Sequence, residues 1–421
     1  MTYQKIYCGP VFDMARRQFD GVADLLDLSF DERDRLLYPK RAIAVTCPIH
    51  RDDGSVAVFE GYRVQHHLTL GPTKGGARFA PNVDLGEVAA LAIWMSWKCA
   101  LSGLPYGGAK GGIAVDPRAL SRRELEALSR RYMQEMIPFV GPYTDVMAPD
   151  LGTDEQVMAW FMDTYSMYQG RTVSEIVTGK PLAAGGTFGR RDATGNGVGH
   201  LAGRAMQKCG IDPKSATAVV QGFGNVGSIS AAALAKQGVR IVGISDHSVA
   251  LYDPKGFDLE AVFRHLRKVG VLMGFAQQAE VDPKALLVSE CDVLVPAAVE
   301  RVIDGSNAGA LKCRIIAEGA NGPTTPDADA VIEARGDIFV IPDILCNAGG
   351  VIVSYFEWVQ DPQRLFWDEP DVMRKLYEIL DRSFEQVTRR AERMGISNRN
   401  AALSIGVQRV RDAKATRGLF P

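Results

Sequence analysis

The segment that most limits what this chain can fold into is Gly222-Phe-Gly-Asn-Val-Gly227. A β-branched run, Thr217–Val220, precedes it, and an Ala-rich stretch, Ser228–Gln237, follows. A second β-branched run, Ile241–Ile244, then leads into Ser245-Asp246. Gly-x-Gly-x-x-Gly alone is a weak signal, but between a strand and a helix of a βαβ unit it reads as a dinucleotide-binding turn. The first glycine permits the tight turn, the second lets backbone approach a pyrophosphate, and the third lets helix pack on strand. The helix N-terminus then faces the anion. Gly222, Gly224, Asn225, Val226 and Gly227 are therefore cofactor-binding candidates. Asp246 is placed to accept from a ribose 2′-hydroxyl. Its charge would repel a 2′-phosphate, and no Lys or Arg follows until Lys255, which favours NAD. His247 and Ser248 leave NADP open. A Walker loop is not supported, because Gly179-Lys180 is followed by Pro181 and no glycine stands five residues earlier.

The same order continues downstream. Val293–Val295, Ile315–Ala317 and Ile338–Ile341 alternate with longer helical segments, which is βαβ order and predicts a parallel sheet with helices on its faces. Upstream, strands and helices are mixed. Val56–Leu70 reads as a strand pair turning at the glycine in its middle. Asp84–Leu101 reads as a helix opened by an Asp84/Glu87 capping box, and Ser121–Met136 as one opened by Ser-x-x-Glu. A Gly-rich stretch, Gly179–Gly199, separates the two regimes. The 421 residues thus read as an α/β protein of two domains, 1–183 and a Rossmann-type domain 184–394. The second domain includes a helix from about 351 that follows a hinge at Asn347–Gly350, and a terminal helix at about 395–421 packs back on the first domain.

Charge excludes other classes. With 48 basic and 50 acidic residues, no global field draws in nucleic acid or a membrane surface. The apolar helical run Val88–Trp97 is closed by Lys98, short of the roughly 20 residues a bilayer span needs. Seven cysteines, an odd number with no Cys-x-x-Cys pair, point away from a disulfide framework or zinc ribbon. The N-terminus lacks the apolar run of a signal peptide, so a cytoplasmic protein is expected. His66-His67 lies on an expected strand, one ring inward and one outward, and no metal site is expected there.

Three lysines stand in unusual surroundings. Lys74 lies in Gly-Pro-Thr-Lys-Gly-Gly-Ala-Arg-Phe, Lys98 near the end of an apolar helix, and Lys110 in Gly-Gly-Ala-Lys-Gly-Gly. Desolvation and mutual repulsion lower a lysine pKa, so one of them could act as a neutral amine. Asp150, in Ala-Pro-Asp-Leu-Gly, is a carboxylate able to pass protons on. Singly, each lysine reads as a snorkelling side chain or a local counter-ion. Together with a dinucleotide fold they read as a cationic pocket for an anionic substrate.

At this point seven motifs stand in order. They are Gly71–Phe79, Gly103–Gly112, Ala148–Gly152, Asp192–Val198, Gly222–Gly227, Ala317–Thr325 and Asn347–Gln360 (NAGGVIVSYFEWVQ). They span nearly the whole chain, which resembles the glutamate dehydrogenases among the Glu/Leu/Phe/Val amino-acid dehydrogenases. The resemblance implies an N-terminal substrate and oligomerisation domain, a cleft between it and the Rossmann-type domain, and a homohexamer. It implies that Lys110 polarises the substrate carbonyl or carbinolamine and activates water, and that Asp150 shuttles protons. Lys98 would hold the α-carboxylate, and Lys74 and Ser354 the side-chain carboxylate. Thr194 and Asn225 would bond the nicotinamide carboxamide, with Asn347 close by. The implied reaction is reversible oxidative deamination of L-glutamate to 2-oxoglutarate and ammonium with NAD(P). Relatives acting on leucine, valine or phenylalanine need an apolar group where Lys74 stands, since a lysine facing an apolar side chain stays unpaired. The alternatives are such a branched-chain or aromatic enzyme, and a catalytically silent subunit of a larger assembly.

Overall fold

The computed structural model describes residues 6–419; residues 1–5 and 420–421, which the expected first domain and terminal helix include, lie outside them. The chain divides into two compact units. One holds the residues up to Arg190 with Val351–Val372 and Leu403 onward, and the other holds Arg191–Gly350 with Met373–Ala402. Val351–Val372 thus groups with the first unit, where the sequence had placed it with residues 184–394. Side-chain bonds explain this. In the helix Gly349–Gln363, Glu357 accepts from the Gly179 amide, Trp358 Nε1 donates to the Pro142 carbonyl at 3.0 Å, and Gln360 Nε2 donates to Thr187 Oγ1 at 2.7 Å.

The first unit is built on five strands: β1 (Arg41–His50), β2 (Val56–Gln65), β3 (Thr73–Ala80), β4 (Gly107–Ala114) and β5 (Asp145–Pro149). Their order is β1-β2-β4-β3-β5. The first two pairings are antiparallel, and those of β4 with β3 and β3 with β5 are parallel. The expected strand pair within Val56–Leu70 is instead one strand, β2, running straight through Gly61 and pairing with β1. Gly61 does not turn the chain; its missing side chain makes room for Tyr132, which a Cβ there would meet at 2.9 Å. β3 and β4 are the lysine-bearing glycine segments. Glycine is a poor strand former, but here packing demands it. A Cβ at Gly75 would lie 1.6 Å from the Ala109 carbonyl oxygen, and one at Gly108 2.1 Å from that of Ala92. The helix Leu85–Leu101 therefore lies directly on β4.

That helix starts as the sequence predicts, with the Asp84 carboxylate accepting from the Glu87 amide. The reciprocal half of the capping box is not formed, because the Glu87 carboxylate takes Arg78 Nη1 at 2.5 Å instead. The Ser121/Glu124 box is complete and opens Arg122–Met136. Both rings of His66-His67 are buried, contrary to the one-in, one-out expectation. β2 ends at Gln65, so strand alternation no longer governs them.

The second unit carries a seven-stranded sheet, ordered β12-β11-β10-β6-β7-β8-β9. Its strands are β6 (Thr217–Gln221), β7 (Arg240–Ser245), β8 (Ala250–Tyr252), β9 (Glu280–Val281), β10 (Val293–Pro296), β11 (Ile315–Ala317) and β12 (Phe339–Ile341). From β12 to β7 all pairings are parallel, the doubly wound arrangement that the alternating runs predict. The helices Ala193–Lys208 and Asn225–Ala235 pack closely, since a Cβ at Gly199 would sit 2.4 Å from that of Ala233.

Candidate active site

Four of the five expected catalytic and substrate residues lie on β3, on β4, just after β5 and on the helix laid against them, all within the first unit. The register sets Lys74 beside Gly108, two residues before Lys110, so both lysines share one face of the sheet. The helix Leu85–Leu101, which carries Lys98, packs on that face against Gly108. Lys74, Lys98 and Lys110 are 1%, 7% and 3% exposed.

Lys110 Nζ is paired with Asp150 Oδ2, while Arg78 Nε donates to Asp150 Oδ1 at 2.8 Å. Asp150 is set by the turn after β5: its amide donates to Thr153 Oγ1 at 2.8 Å, and that hydroxyl donates to the Ala77 carbonyl. Gly76 leaves it room, since a Cβ there would lie 2.8 Å from the Asp150 Cβ. Burial alone would raise the Asp150 pKa, but the charges and hydrogen bonds of Lys110 and Arg78 outweigh it and hold the carboxyl well below the usual range. Burial lowers the Lys110 ammonium, Asp150 opposes this, and Arg78 adds to it. The net effect is a lysine with a depressed pKa sharing a proton path with a carboxylate whose side chain is 16% exposed.

Lys74 is different. Its Nζ makes one hydrogen bond, to the Met147 carbonyl at 3.3 Å, and no carboxylate lies within 4.0 Å among the described residues. Burial, and then the charge of Arg190, push its pKa far down, with Glu357 opposing. Ser354, buried on the helix Gly349–Gln363, accepts from Arg190 Nε at 2.7 Å. Arg190, Arg78 and Glu357 were not singled out in the sequence. Arg78 sits inside the Lys74 motif and Glu357 inside the Ser354 motif. Arg190 lies beside Arg191 just ahead of Asp192–Val198, where only its neighbourhood to a motif could have marked it.

The dinucleotide candidates lie together in the second unit. Gly222 has φ 93°, and a Cβ there would meet Ala298 at 2.6 Å. Gly227 lets the helix approach, since a Cβ would sit 1.8 Å from the Gly222 oxygen. Above Gly224 the space is open, as a pyrophosphate requires. Asn225 begins the helix, followed by Val226, and first-turn amides have no intrahelical acceptor. The Asn225 Nδ2 donates to the Arg191 carbonyl at 3.2 Å. Thr194 is half-buried in the first turn of Ala193–Lys208, against which Gly349 packs. Asn347 Nδ2 donates to the Ala320 carbonyl and to Asn321 Oδ1, both at 3.0 Å. Asp246 follows β7, and its carboxylate already accepts from the amides of Ser248, Val249 and Leu272 and the Ser248 hydroxyl. Burial would raise its pKa, but these bonds outweigh it and keep it low, so its negative charge is fixed beside the turn. These residues fit a dinucleotide.

Residues 185–418 match the family described as Glutamate/Leucine/Phenylalanine/Valine dehydrogenase, and residues 39–167 match that family's dimerisation domain. The chain is 48% identical to the glutamate dehydrogenase of Thermotoga maritima over 98% of this chain and 99% of that one. It is 41% identical to the NAD-specific glutamate dehydrogenase of Clostridioides difficile (97% and 98% covered). It is also 41% identical to the NADP-specific enzyme of Synechocystis sp. (98% and 99%). A crystal structure of the hetero-hexameric glutamate dehydrogenase from Thermus thermophilus, in its Leu-bound form, superposes with TM-score 0.94. It shares 39% identity, and the match covers 99% of this chain and 100% of that one.

Proposed function

The chain belongs to the Glutamate/Leucine/Phenylalanine/Valine dehydrogenase family, and from that premise we propose that it catalyses the reversible oxidative deamination of L-glutamate to 2-oxoglutarate and ammonium. The observation that carries the choice of glutamate is Lys74: a buried lysine whose one hydrogen-bond partner among the described residues is a carbonyl, and whose charged form burial disfavours until a carboxylate joins it. A buried charge without a counter-ion is costly, and a substrate carboxylate supplies one. Ser354 and Arg190 stand with it and offer further donors to the same carboxylate. Lys98 holds the α-carboxylate. A leucine, valine or phenylalanine side chain would leave Lys74 unpaired.

A nicotinamide cofactor, when bound, would supply the hydride acceptor for the substrate Cα. Lys110, with its depressed pKa, takes a proton from water as it adds to the resulting iminium carbon, and Asp150 passes protons to the departing amine. Arg78 keeps Asp150 aimed at Lys110. Gly222, Gly224 and Gly227 with the amides of Asn225 and Val226 would hold the pyrophosphate. Thr194, Asn225 and Asn347 would bond the carboxamide. Either NAD or NADP serves the family, and the fixed charge of Asp246 favours NAD here.

We place substrate binding in the first unit and dinucleotide binding in the second, and take the assembly to be a homohexamer in the cytoplasm. The dimerisation match covers β1, an edge strand with pairing groups to spare. The cysteines are all thiols among the described residues, and no helix there is long and apolar enough to cross a membrane. A silent subunit of a hetero-hexamer is the second reading, prompted by the Thermus thermophilus assembly. The intact Lys110–Asp150 pair speaks against it. Purified chain assayed for nicotinamide reduction tests both: glutamate turnover exceeding leucine turnover supports the proposal, and none with any amino acid moves the weight to the silent subunit.

A further inference from the structure

Among the buried ionic clusters outside the reacting groups, that of Lys180 is linked in bonding to the Lys74 side chain. Lys180, Glu357 and Asp361 are each at most 4% exposed. Lys180 Nζ lies 2.6 Å from Glu357 Oε1 and 2.8 Å from Asp361 Oδ2, and it donates to the Val177 carbonyl at 3.0 Å. Glu357 also accepts from the amides of Gly179 and Lys180, at 2.9 and 3.3 Å. Ions so buried are a weak device for stability, and breaking such a pair is expensive, so geometry is what they can fix.

What they fix is set by their neighbours. Val177 bridges Met147 of β5. The Met147 carbonyl accepts from both the Thr178 amide at 2.9 Å and Lys74 Nζ at 3.3 Å. Glu357 stands three residues after Ser354 on the helix Gly349–Gln363, hence on the same side one turn away. A continuous bonded path therefore runs from Lys74 through Met147 and Thr178–Lys180 to Glu357, and so to Ser354. We propose that Lys180 and Glu357 form a latch that sets the separation of Lys74 and Ser354, making them positioning and specificity-determining residues for the substrate's side-chain carboxylate. The latch touches neither substrate nor cofactor. Its effect is confined to the end of the pocket that distinguishes a carboxylate from a methyl group. Glu357 is also the carboxylate that opposes the lowering of the Lys74 pKa by burial, Arg190 and Arg63.

This inference rests on the glutamate reading. The test compares L-glutamate with L-norvaline, which has the same chain length and a methyl end, in the full-length protein and in Glu357→Ala, Lys180→Met and the double variant. Circular dichroism checks the fold. The expected result is a rise in KM for glutamate and a fall of about tenfold or more in the glutamate-to-norvaline ratio of kcat/KM, with norvaline itself changed less than about threefold. The double variant should fall no further than the worse single one, because both break one unit. Should these fail to fold, Glu357→Gln keeps a carbonyl for Gly179 and leaves Lys180 on Asp361, and its ratio should fall by about threefold. Equal losses with both substrates, multiplying losses in the double variant, or an unchanged ratio overturns the latch. Wild-type protein that turns over norvaline but not glutamate overturns the substrate reading as well, and this shows before any variant is compared.

Discussion

Burial would raise the proton affinity of Asp150, but it accepts from both Lys110 and Arg78, and the two cations together outweigh its burial. Replacing it by Asn keeps the shape but removes both the proton acceptor and the charge that sustains the Lys110 ammonium. Steady-state kinetics of Asp150→Asn should show kcat for glutamate lowered by roughly 10²–10⁴-fold, the span of general acid–base contributions, with KM changed far less. A kcat within a few-fold of wild type would exclude Asp150 as the proton carrier. At this scale the sequence was informative where a residue type is out of place. Lysines amid glycines and within an apolar helix announce themselves, and the structure buries all three. Arg190, Lys180 and Glu357 are ordinary residues in their local context. Their meaning comes from partners far away in the chain, such as the 177 positions between Lys180 and Glu357, and one sequence does not display such pairings.

Among the elements, the β6–β7 unit was legible because strand, glycine turn and helix are consecutive, and each local preference agrees with the whole. β3 and β4 were not legible as strands, because glycine carries no β-propensity and the reason for it is a helix packed on top. The end of β2 shows the same dependence on packing. His66 Nδ1 lies 2.7 Å from Ser96 Oγ on the helix Leu85–Leu101, and Nε2 lies 3.1 Å from the Leu37 carbonyl. Burial first, and Lys414 next, lower the His66 pKa to about 3, while the Leu37 bond opposes them; burial and His66 lower His67 as well. An unfolded histidine titrates near 6.5. The folded state therefore binds fewer protons between pH 6.5 and 3, and the stabilisation is complete above 6.5 and lost as pH falls through that window. The slope from His66 is about 1.4 kcal/mol per pH unit across that window, and His67 acts in the same direction. Thermal melting from pH 7.5 to 4.5 should show Tm falling, and falling less steeply in His66→Gln. Identical slopes in variant and wild type would mean the ring is already charged in the fold.

For the whole molecule, the order of seven motifs told more than any one of them, and the family match over nearly all of the chain agrees with it. The grouping of Val351–Val372 with the first unit was hidden, because a helix entering from a Gly-rich hinge carries no mark of which core it will join. That grouping brings Ser354 to the same unit as Lys74, and the proposed pocket for a side-chain carboxylate rests on it. The central claim is that Lys74 is held buried for a carboxylate that the substrate brings. It is tested most directly by nicotinamide reduction with L-glutamate and with L-leucine, in wild type and in Lys74→Leu. The account predicts strong preference for glutamate in the wild type. In Lys74→Leu it predicts a loss of at least about a hundredfold in glutamate kcat/KM, with leucine turnover maintained or raised. A Lys74→Leu protein that still prefers glutamate would contradict it.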